Sequence, residues 1–169
     1  LEMRNSPVQL RSASVDDAEA VAEIYNLEVT TGTNVFDIEP RTIDQQRAWL
    51  TERTGAHAVI VATTDDGEVT GFGSLSRYKE RPSYATSVES SVYVARAHRG
   101  EGVGLALLHE LVRVATDHGF HTMIARIEAS NEASIALHRR AGFDVIGIER
   151  EIGRKFGRWL DICAMQRML

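Results

Sequence analysis

The sequence predicts an α/β fold, in which a mixed, mostly antiparallel sheet of about seven strands carries about four helices on its faces. Apolar patterns of period two and period 3.6 alternate along the 169 residues in the order β-α-α-β-β-β-α-β-α-β-β. Three strands follow one another in the middle without a helix, which argues against a doubly wound parallel sheet. No internal repeat or long linker interrupts the pattern, so residues 3–169 are expected to form one domain.

The predicted elements follow one another closely along the chain, separated by short polar or glycine-containing segments. In chain order they are the strand VQLRSA (8–13), the helices VDDAEAVAEIYNLEVT (15–30) and TIDQQRAWLTERTG (42–55), the strands AHAVIVATT (56–64), EVTGFGSLSRY (68–78) and ATSVESSVYVARA (85–97), the helix 103–118, the strand HTMIARIEA (121–129), the helix NEASIALHRRAG (131–142), and the strands FDVIGIEREIG (143–153) and RWLDICAMQRML (158–169).

Capping and turn residues set the limits of these elements. Ser14 is a favoured N-cap for the first helix, and Gly55, Gly119 and Gly142 are expected to end the next three. The β-branched residues of the second strand lead into DDG at 65–67, which is a hairpin signal. Two helices show clear apolar faces: Ala18, Val21, Ala22, Tyr25 and Val29 in the first, and Val103, Leu107, Leu111 and Ala115 in the third.

Composition excludes several classes of protein. The formal net charge of −5 argues against a general nucleic-acid binder. No apolar run approaches eighteen residues and no secretory signal is visible, so neither a membrane span nor export is expected. The single cysteine, Cys163, permits no intrachain disulfide and fits a reducing cytoplasm. Leu1 and Glu2 precede Met3 and are interpreted as a cloning remnant.

Metal binding is not expected from this sequence. His118 and His121 flank a predicted turn, and no cysteine or third histidine lies at ligand spacing from them. Cys163 stands in an apolar strand and is interpreted as a core residue.

Three glycines stand at the mouth of the third helix, in the stretch HRGEGVGLALLHELV (98–112). The first N–H groups of a helix lack partners inside it and carry a partial positive charge. Glycine removes side chains from this end and permits turns that aim successive amides at one point. Gly100, Gly102 and Gly104 therefore suit a phosphate-binding loop, and Arg96, His98 and Arg99 add positive charge.

The spacing of these glycines distinguishes between anions. G-x-G-x-x-G for dinucleotides and G-x-x-x-x-G-K-[ST] for nucleoside triphosphates both fail here. What remains is R-x-x-G-x-G, formed by Arg99, Gly102 and Gly104, which resembles the loop of the GNAT superfamily of acyl-CoA-dependent N-acetyltransferases. The resemblance implies that Arg99, Gly100, Glu101, Gly102, Val103 and Gly104 hold the pyrophosphate of acetyl-CoA. The alternative, glycines that only ease a tight turn, leaves Arg99 unexplained.

Five further segments resemble one branch of this superfamily, the phosphinothricin and methionine sulfoximine N-acetyltransferases. They are TNVF (33–36), YKERPSY (78–84), SVESSVYVARAHRGEGVG (87–104), NEASIALHRRAGF (131–143) and KFGRWLD (155–161). The resemblance implies acetyl transfer from acetyl-CoA, the co-substrate, to the α-amine of a small amino-acid analogue, without a metal. It also implies a homodimer, with KFGRWLD shaping the substrate pocket.

Glu89 and the strand that follows it are the leading catalytic candidates. A carboxylate facing the core in the middle of a strand is costly, and a base must take the proton of the substrate amine. The resemblance places Glu89 there; the alternative is a glutamate facing solvent. The resemblance further implies that Val92, Tyr93 and Val94 bind the pantetheine arm of the coenzyme. One of their N–H groups would polarise the thioester carbonyl, which requires that the sheet is splayed at this point. The side chains of Val92 and Val94 fit an ordinary core strand equally well.

The fourth helix supplies further candidates. Asn131 is a favoured N-cap, with Ser134 at the third helical position, and the resemblance adds a contact from Asn131 to the coenzyme. Many members of the superfamily carry a tyrosine at the position of His138 that acts as an acid toward the departing thiolate. Histidine can donate a proton near neutral pH, although a thiol pKa near 8.5 makes an acid dispensable.

The acceptor pocket requires cations, since the analogues carry a carboxylate and a polar head group. The resemblance assigns Lys79, Arg81 and Tyr84 to the substrate and makes Phe36 an apolar wall. The alternative for the charged run is a solvated loop. Methionine sulfoximine enzymes read WRPF here, whereas this chain reads YKER, so the spacing is nearer the phosphinothricin type and the head group stays open.

Two other functions remain open at this stage. A GNAT enzyme that acts on a peptide or protein amine would share the coenzyme loop. A non-catalytic acyl-CoA sensor would share it as well, but would not need Glu89 or a cationic substrate loop.

Overall fold

The computed structural model describes residues 7–169, so Leu1, Glu2 and Met3 lie outside the described residues. Its helices and strands follow the predicted order. They are β1 (Gln9–Ser12), α1 (Ala18–Thr31), α2 (Ile43–Glu52), β2 (Val59–Thr63), β3 (Val69–Arg77), β4 (Ser87–Val94), α3 (Val103–Asp117), β5 (Thr122–Glu128), α4 (Glu132–Arg140), β6 (Asp144–Lys155) and β7 (Arg158–Met168).

Within residues 7–169 the strands form one sheet in the order β1-β2-β3-β4-β5-β7-β6. Every neighbouring pair is antiparallel except β4 and β5. That parallel pair has only three rungs, which join residues 87–89 to residues 122–124. Both strands continue for four or more residues beyond the last rung, so the sheet is splayed in its middle. The α/β fold with a mixed, splayed sheet is confirmed.

Two apolar cores lie on opposite faces of this sheet. One is built under α3 from Leu107, Leu108 and Leu111, together with residues of β3 to β5 and β7. The other joins α1 and α2 to β2 and β3 through Val21, Tyr25 and Phe72. Every residue predicted for the apolar faces of the first and third helices is buried. The faces will be called the α3 face and the α1 face.

Glycines in β3 let α3 pack directly against the sheet. A Cβ at Gly71 would lie 2.8 Å from the Tyr93 carbonyl oxygen and 3.1 Å from Val103, and one at Gly73 would lie 2.9 Å from Leu111. Ordinary side chains at these positions would push the helix away from the sheet. Since α3 begins with the glycine loop, this close packing also sets the position of that loop.

Capping follows the sequence in most places. The Thr42 hydroxyl accepts a hydrogen bond from the main-chain N–H of Gln45 at 3.1 Å, and the side-chain oxygen of Gln45 accepts one from the main-chain N–H of Thr42 at 2.9 Å. These two bonds form a capping box at the start of α2. This helix ends at Glu52, three residues before the predicted stop at Gly55. Gly55, with a φ of +67°, instead begins a short 3₁₀ turn.

The last two strands form a long hairpin with a tight turn and a bulge. Lys155 pairs with Arg158, and the turn residues Phe156 and Gly157 have φ values of +50° and +72°, as in a type I′ turn. A bulge interrupts β6 at Glu151, which has a φ of +51°. Asp161 of KFGRWLD accepts the Glu151 N–H at 2.7 Å and so holds the bulge in place.

Candidate active site

The splay between β4 and β5 leaves one edge of β4 without a strand partner. On the β5 side, the Thr86 carbonyl accepts a hydrogen bond from the N–H of His121, the residue before β5, at 2.8 Å. On the β3 side, the Ala95 N–H donates to the Thr70 carbonyl at 2.8 Å. Backbone groups alternate in direction along a strand. The N–H groups of Ser90, Val92 and Val94 therefore point into the gap beyond the last rung.

The glycine loop presents main-chain amides in the same region. Gly100 and Gly102 have φ values of +78° and +84°, which L side chains rarely adopt, so the sequence argument from conformational freedom holds for these two glycines. Gly102 is the N-cap of α3 and offers no side chain to cap it. Within residues 7–169, the N–H groups of residues 102–105 make no hydrogen bond. They are thus disposed to bind an anion such as a diphosphate.

Gly104 serves a purpose that its spacing does not reveal. A Cβ there would lie 3.1 Å from Leu137 of α4 and 3.5 Å from Val94 of β4. No positive φ occurs at this residue. Gly104 therefore lets α3, α4 and the splayed end of β4 approach closely, and it leaves room beside the exposed amides.

A buried carboxylate that the sequence did not single out lies beneath the loop. Glu28, at the end of α1, is 8% exposed in its side chain and accepts hydrogen bonds from Arg96 Nε at 3.0 Å and Arg99 at 2.9 Å. Arg96 also donates to Thr31 at 2.7 Å. Both arginines lie just before the glycines and remain about half exposed. Because Arg99, the predicted diphosphate ligand, donates to Glu28, this carboxylate orients its guanidinium. Only the tertiary structure reveals this contact, because 71 residues separate the partners.

Glu89 lies at the last rung of the β4–β5 ladder, opposite Ile124. Tyr93, on the same strand, packs in the α1 core, while Val88 packs in the α3 core, so strict alternation directs Glu89 to the α1 face. The β3–β4 register contains no bulge that would break this alternation. Burial raises the pKa of the Glu89 carboxyl; Arg126 opposes this shift and Glu149 adds to it.

The three residues predicted to bind pantetheine divide between the two faces. Val92 and Val94 pack against the α3 core. Tyr93 packs against Tyr25 and Phe72, with ring centroids 5.5 and 4.9 Å away. Their predicted backbone contacts with the coenzyme stay a prediction; the N–H groups of Val92 and Val94 point into the gap beside the free edge of β4.

On α4, the predicted residues interact with one another. Asn131 Oδ1 accepts the Ser134 N–H at 3.1 Å, as an N-cap. His138 is buried, and its Nδ1–H donates to the Ser134 carbonyl at 2.7 Å. Burial lowers the pKa of this imidazole, and the ring packs edge-on against Phe143. A neutral histidine with Nδ1–H so engaged presents Nε2 as an acceptor, so the geometry favours a packing role for His138, and its role as an acid stays a prediction.

The cationic loop that is predicted to bind the substrate follows β3 and contains a 3₁₀ turn from Pro82 to Tyr84. Lys79 Nζ lies 5.0 and 5.3 Å from the ring centroids of Tyr78 and Tyr84. Lys79 and Arg81 are exposed. Among residues 7–169 neither forms an ion pair, so both charges are available to an anionic ligand. Their substrate role stays a prediction.

The segment that carries Phe36, residues 33–41, is held at several points. Asn26 of α1 makes two hydrogen bonds to the main chain of Arg41, at 2.8 and 2.9 Å. Tyr25 donates to Asp37. Buried Lys155, from KFGRWLD, donates to the Val35 carbonyl at 2.7 Å. The segment KFGRWLD was among those that carry the family resemblance, but only the structure shows that it contacts the segment with Phe36.

Phe36 rests on the backbone of β6 at Gly153. An ideal Cβ at Gly153 would overlap the Phe36 ring. Gly153→Ala should therefore displace this ring; given the role as an apolar wall that the resemblance implies for Phe36, the acceptor KM should rise several-fold, while the KM of acetyl-CoA stays within twofold. Steady-state kinetics with both substrates varied would measure this. Gly147→Ala is the matched control, since it adds the same methyl group to the same strand with no atom within 4 Å. Equal effects of both variants would contradict the role given to Phe36.

Two negative findings apply to the described part of the chain. In residues 7–169, no cluster of three or more His, Cys, Asp or Glu side chains is arranged to hold a metal ion. None of the helices in that range has the length and apolarity needed to span a bilayer.

Comparison with known proteins identifies a family. The model of the acetyltransferase (GNAT) family matches residues 21–143. The L-methionine sulfoximine/L-methionine sulfone acetyltransferase of Pseudomonas aeruginosa is 39% identical over 158 residues, covering 93% of this chain and 92% of the relative. The phosphinothricin N-acetyltransferase of Streptomyces coelicolor is 38% identical over 165 residues, covering 96% of both.

Solved structures show the same architecture. A phosphinothricin acetyltransferase of Sinorhizobium meliloti in complex with AcCoA superposes with a TM-score of 0.93 at 37% identity, covering 97% of this chain and 89% of the other. YncA of Salmonella typhimurium with acetyl-CoA gives 0.92 at 38%, covering 97% and 95%. A ribosomal-protein-alanine N-acetyltransferase of Brucella melitensis gives 0.92 at 38%, covering 95% and 99%.

Proposed function

Because the chain belongs to the acetyltransferase (GNAT) family, we propose that it moves an acetyl group from acetyl-CoA to the α-amine of a small amino-acid analogue of the methionine sulfoximine, methionine sulfone or phosphinothricin class. One observation carries this proposal. The gap between β4 and β5 opens directly after Glu89, and the chain of β4 continues from there to the glycine loop, where the N–H groups of residues 102–105 make no hydrogen bond within residues 7–169. A carboxylate, a free strand edge and a set of available amides thus follow one another along one strand and its loop.

The residues present fit acetyl-CoA. In the proposed complex the N–H groups of residues 102–105 bind the pyrophosphate, with Arg99 and the loop residues Gly100 and Glu101 around it. The free N–H groups of Val92 and Val94 bind the pantetheine arm and polarise the thioester carbonyl. Asn131 contacts the coenzyme through the amide nitrogen that its capping bond leaves free, and Ser134 lies beside it. The α3 face thereby holds the acyl donor.

In the proposed reaction, the acyl donor and the acceptor amine meet in the gap between β4 and β5, which connects the two faces of the sheet. Glu89, on the α1 face, removes a proton from the substrate ammonium, directly or through water, so that the nitrogen lone pair can attack the thioester carbon. The new C–N bond forms and the C–S bond breaks, the attacking nitrogen releases its second proton, and the departing thiolate takes up one proton to give the free thiol of coenzyme A. A thiol pKa near 8.5 allows departure without a strong acid, which agrees with the neutral state favoured for His138.

The acceptor is enclosed by the loop after β3 and the segment before α2. Lys79 and Arg81 supply positive charge for an acidic head group, Tyr84 supplies a flat wall, and Phe36 closes the apolar side. This arrangement agrees with the substrates of the P. aeruginosa and S. coelicolor relatives.

A peptide or protein amine is the second candidate acceptor, favoured by the name of the B. melitensis structure. The test is a thiol-release assay with acetyl-CoA and a panel that contains methionine sulfone, methionine sulfoximine, phosphinothricin and short peptides with alanine at the N-terminus. We expect turnover of at least one analogue and little of the peptides. Preference for peptides would reject the analogue class, and tight acetyl-CoA binding without any turnover would identify a sensor.

We also propose that two copies of the chain associate through the β6–β7 hairpin. Strand β6 is a twelve-residue edge strand, and an unprotected edge with apolar side chains favours pairing. The exposed apolar residues along it and its turn are Ile146, Ile148, Ile152, Phe156 and Trp159. Light scattering after size exclusion should give a dimer, and Ile152→Lys should give a folded monomer. A monomeric wild-type protein would contradict this proposal.

A further inference from the structure

Arg126 lies on β5, across the gap from β4, close to Glu89 at the point where the two strands separate. It follows by two residues Ile124, the partner of Glu89 in the last rung. Met123, Ala125 and Ile127 are buried in the α3 core. By alternation Ile124 and Arg126 face the α1 side, as Glu89 does. The two residues from Ile124 to Arg126 span about 6.6 Å along β5, so the arginine lies just past the point where the strands separate.

Glu149, on β6, forms an ion pair with Arg126 across the intervening strand. On β7, the residue opposite Arg126 is Ala164, whose small side chain leaves space for this contact. The pair is partly exposed, with side-chain accessibilities of 39% for Arg126 and 42% for Glu149. An ion pair this exposed contributes little to stability, which leaves room for a functional role.

These two charges and Glu89 act on one another. Of the charged groups, Arg126 lowers the pKa of Glu89 and Glu149 raises it. One terminal nitrogen of Arg126 donates to Glu149, and within residues 7–169 its other N–H groups have no hydrogen-bond acceptor. A guanidinium has five such donors and binds carboxylates in a bidentate manner. Arg126 can therefore hold an anion beside Glu89 while it keeps its contact with Glu149.

We propose that Arg126 binds the α-carboxylate of the acceptor and that Glu149 fixes the orientation of its guanidinium. The inference rests on the proposed function. An α-amino acid carries its ammonium and carboxylate on the same carbon, which matches an anion, Glu89, facing a cation, Arg126. The amine of a peptide N-terminus lacks an adjacent carboxylate. Arg126 thus selects free amino acids over peptides, and it leaves Lys79 and Arg81 for the head group.

The test compares an amino acid with its carboxamide, which differs only in the group assigned to Arg126. Methionine sulfone and methionine sulfone carboxamide would be acetylated by the wild type and by Arg126→Gln. We expect the substitution to raise the KM of the acid at least tenfold, the range for a lost hydrogen bond to a charged group, and to change that of the amide less than twofold. Equal effects on both acceptors, or no effect on either, would overturn the proposal.

Glu149→Gln is the matched control, because it breaks the same ion pair but retains the guanidinium. This variant should keep a preference for the acid, although weakened, whereas Arg126→Gln should lose it. A second readout is the acid limb of the kcat/KM profile: it should move to higher pH in Arg126→Gln and to lower pH in Glu149→Gln. A preference lost equally in both variants would assign the effect to the ion pair and contradict carboxylate binding.

Failure of the proposed function is separable from failure of this inference. If the wild type acetylates none of the acids, the proposed function fails. Calorimetric titration of methionine sulfone into the wild-type and Arg126→Gln proteins, with coenzyme A present, still measures the carboxylate contact. A Kd at least tenfold weaker in the variant supports it. Absence of binding to the wild type, or equal Kd values, overturns it.

Discussion

Replacing Glu89 with glutamine should lower kcat by 10²- to 10⁴-fold, the range for loss of a general base. The Kd of acetyl-CoA should change less than twofold, because Glu89 faces α1 and the glycine loop lies at the start of α3. The variant should also lose the acid limb of the wild-type kcat/KM profile. In the proposed mechanism that limb reports deprotonation of Glu89, and burial moves the pKa of this carboxyl above the ordinary value, so activity should rise with pH through the limb.

The stability of Glu89→Gln provides an internal check on folding. A carboxyl whose pKa is raised in the folded state binds protons more tightly there, so it stabilises the fold as pH falls and destabilises it at neutral pH. Glutamine carries no charge, so the variant lacks the unfavourable free energy of burying a carboxylate. The Tm of the variant at pH 7 should therefore equal or exceed that of the wild type. Glu23→Gln, at an exposed position of α1 that forms no ion pair within residues 7–169, controls for the loss of one carboxylate. Wild-type turnover in Glu89→Gln would remove Glu89 from the mechanism.

Gly102→Val should weaken acetyl-CoA binding by about 10- to 100-fold, as expected when one or two hydrogen bonds to a charged group are lost. Its φ of +84° strains any L side chain, but no atom lies within 4 Å of the added Cβ. The valine would therefore project from the N-cap beside the unpaired amides, where the diphosphate is proposed to bind. Calorimetric titration with acetyl-CoA measures the loss, and Gly102→Ala should give a smaller one.

Gly119→Val separates obstruction from backbone strain. Gly119 lies just after the other end of α3 with a φ of +80° and equally open surroundings. Both valine variants should lose similar free energies of unfolding, of order 1–3 kcal/mol. Only Gly102→Val should weaken acetyl-CoA binding. If both bind as well as the wild type, the diphosphate does not contact this loop.

The candidate site was predictable where its chemistry is local in the chain. The conformational roles of Gly100 and Gly102 and the cap formed by Asn131 follow from neighbouring residues, and the structure shows each of them. Gly104 was grouped with the other glycines because of its spacing, yet it serves packing against Leu137. Its partner is more than thirty residues away, so no local pattern could distinguish the two purposes.

Residues joined across the fold were the ones that sequence reasoning missed. Glu28 orients Arg99, Lys155 holds the main chain of Val35, and Glu149 pairs with Arg126. Each pair unites elements that are distant in the chain, and a single charged residue on a helix or strand is most often solvated. No periodicity records such pairs.

By itself the sequence determined the order of strands and helices, the apolar faces of α1 and α3, and the glycine loop, because these depend on propensities and periodicities within a few residues. Only the tertiary structure decided that β4 and β5 separate after Glu89, which face Glu89 occupies, and which charges meet there. Strand pairing over long separations depends on how both cores pack against the sheet at once, and that information is distributed over the whole chain.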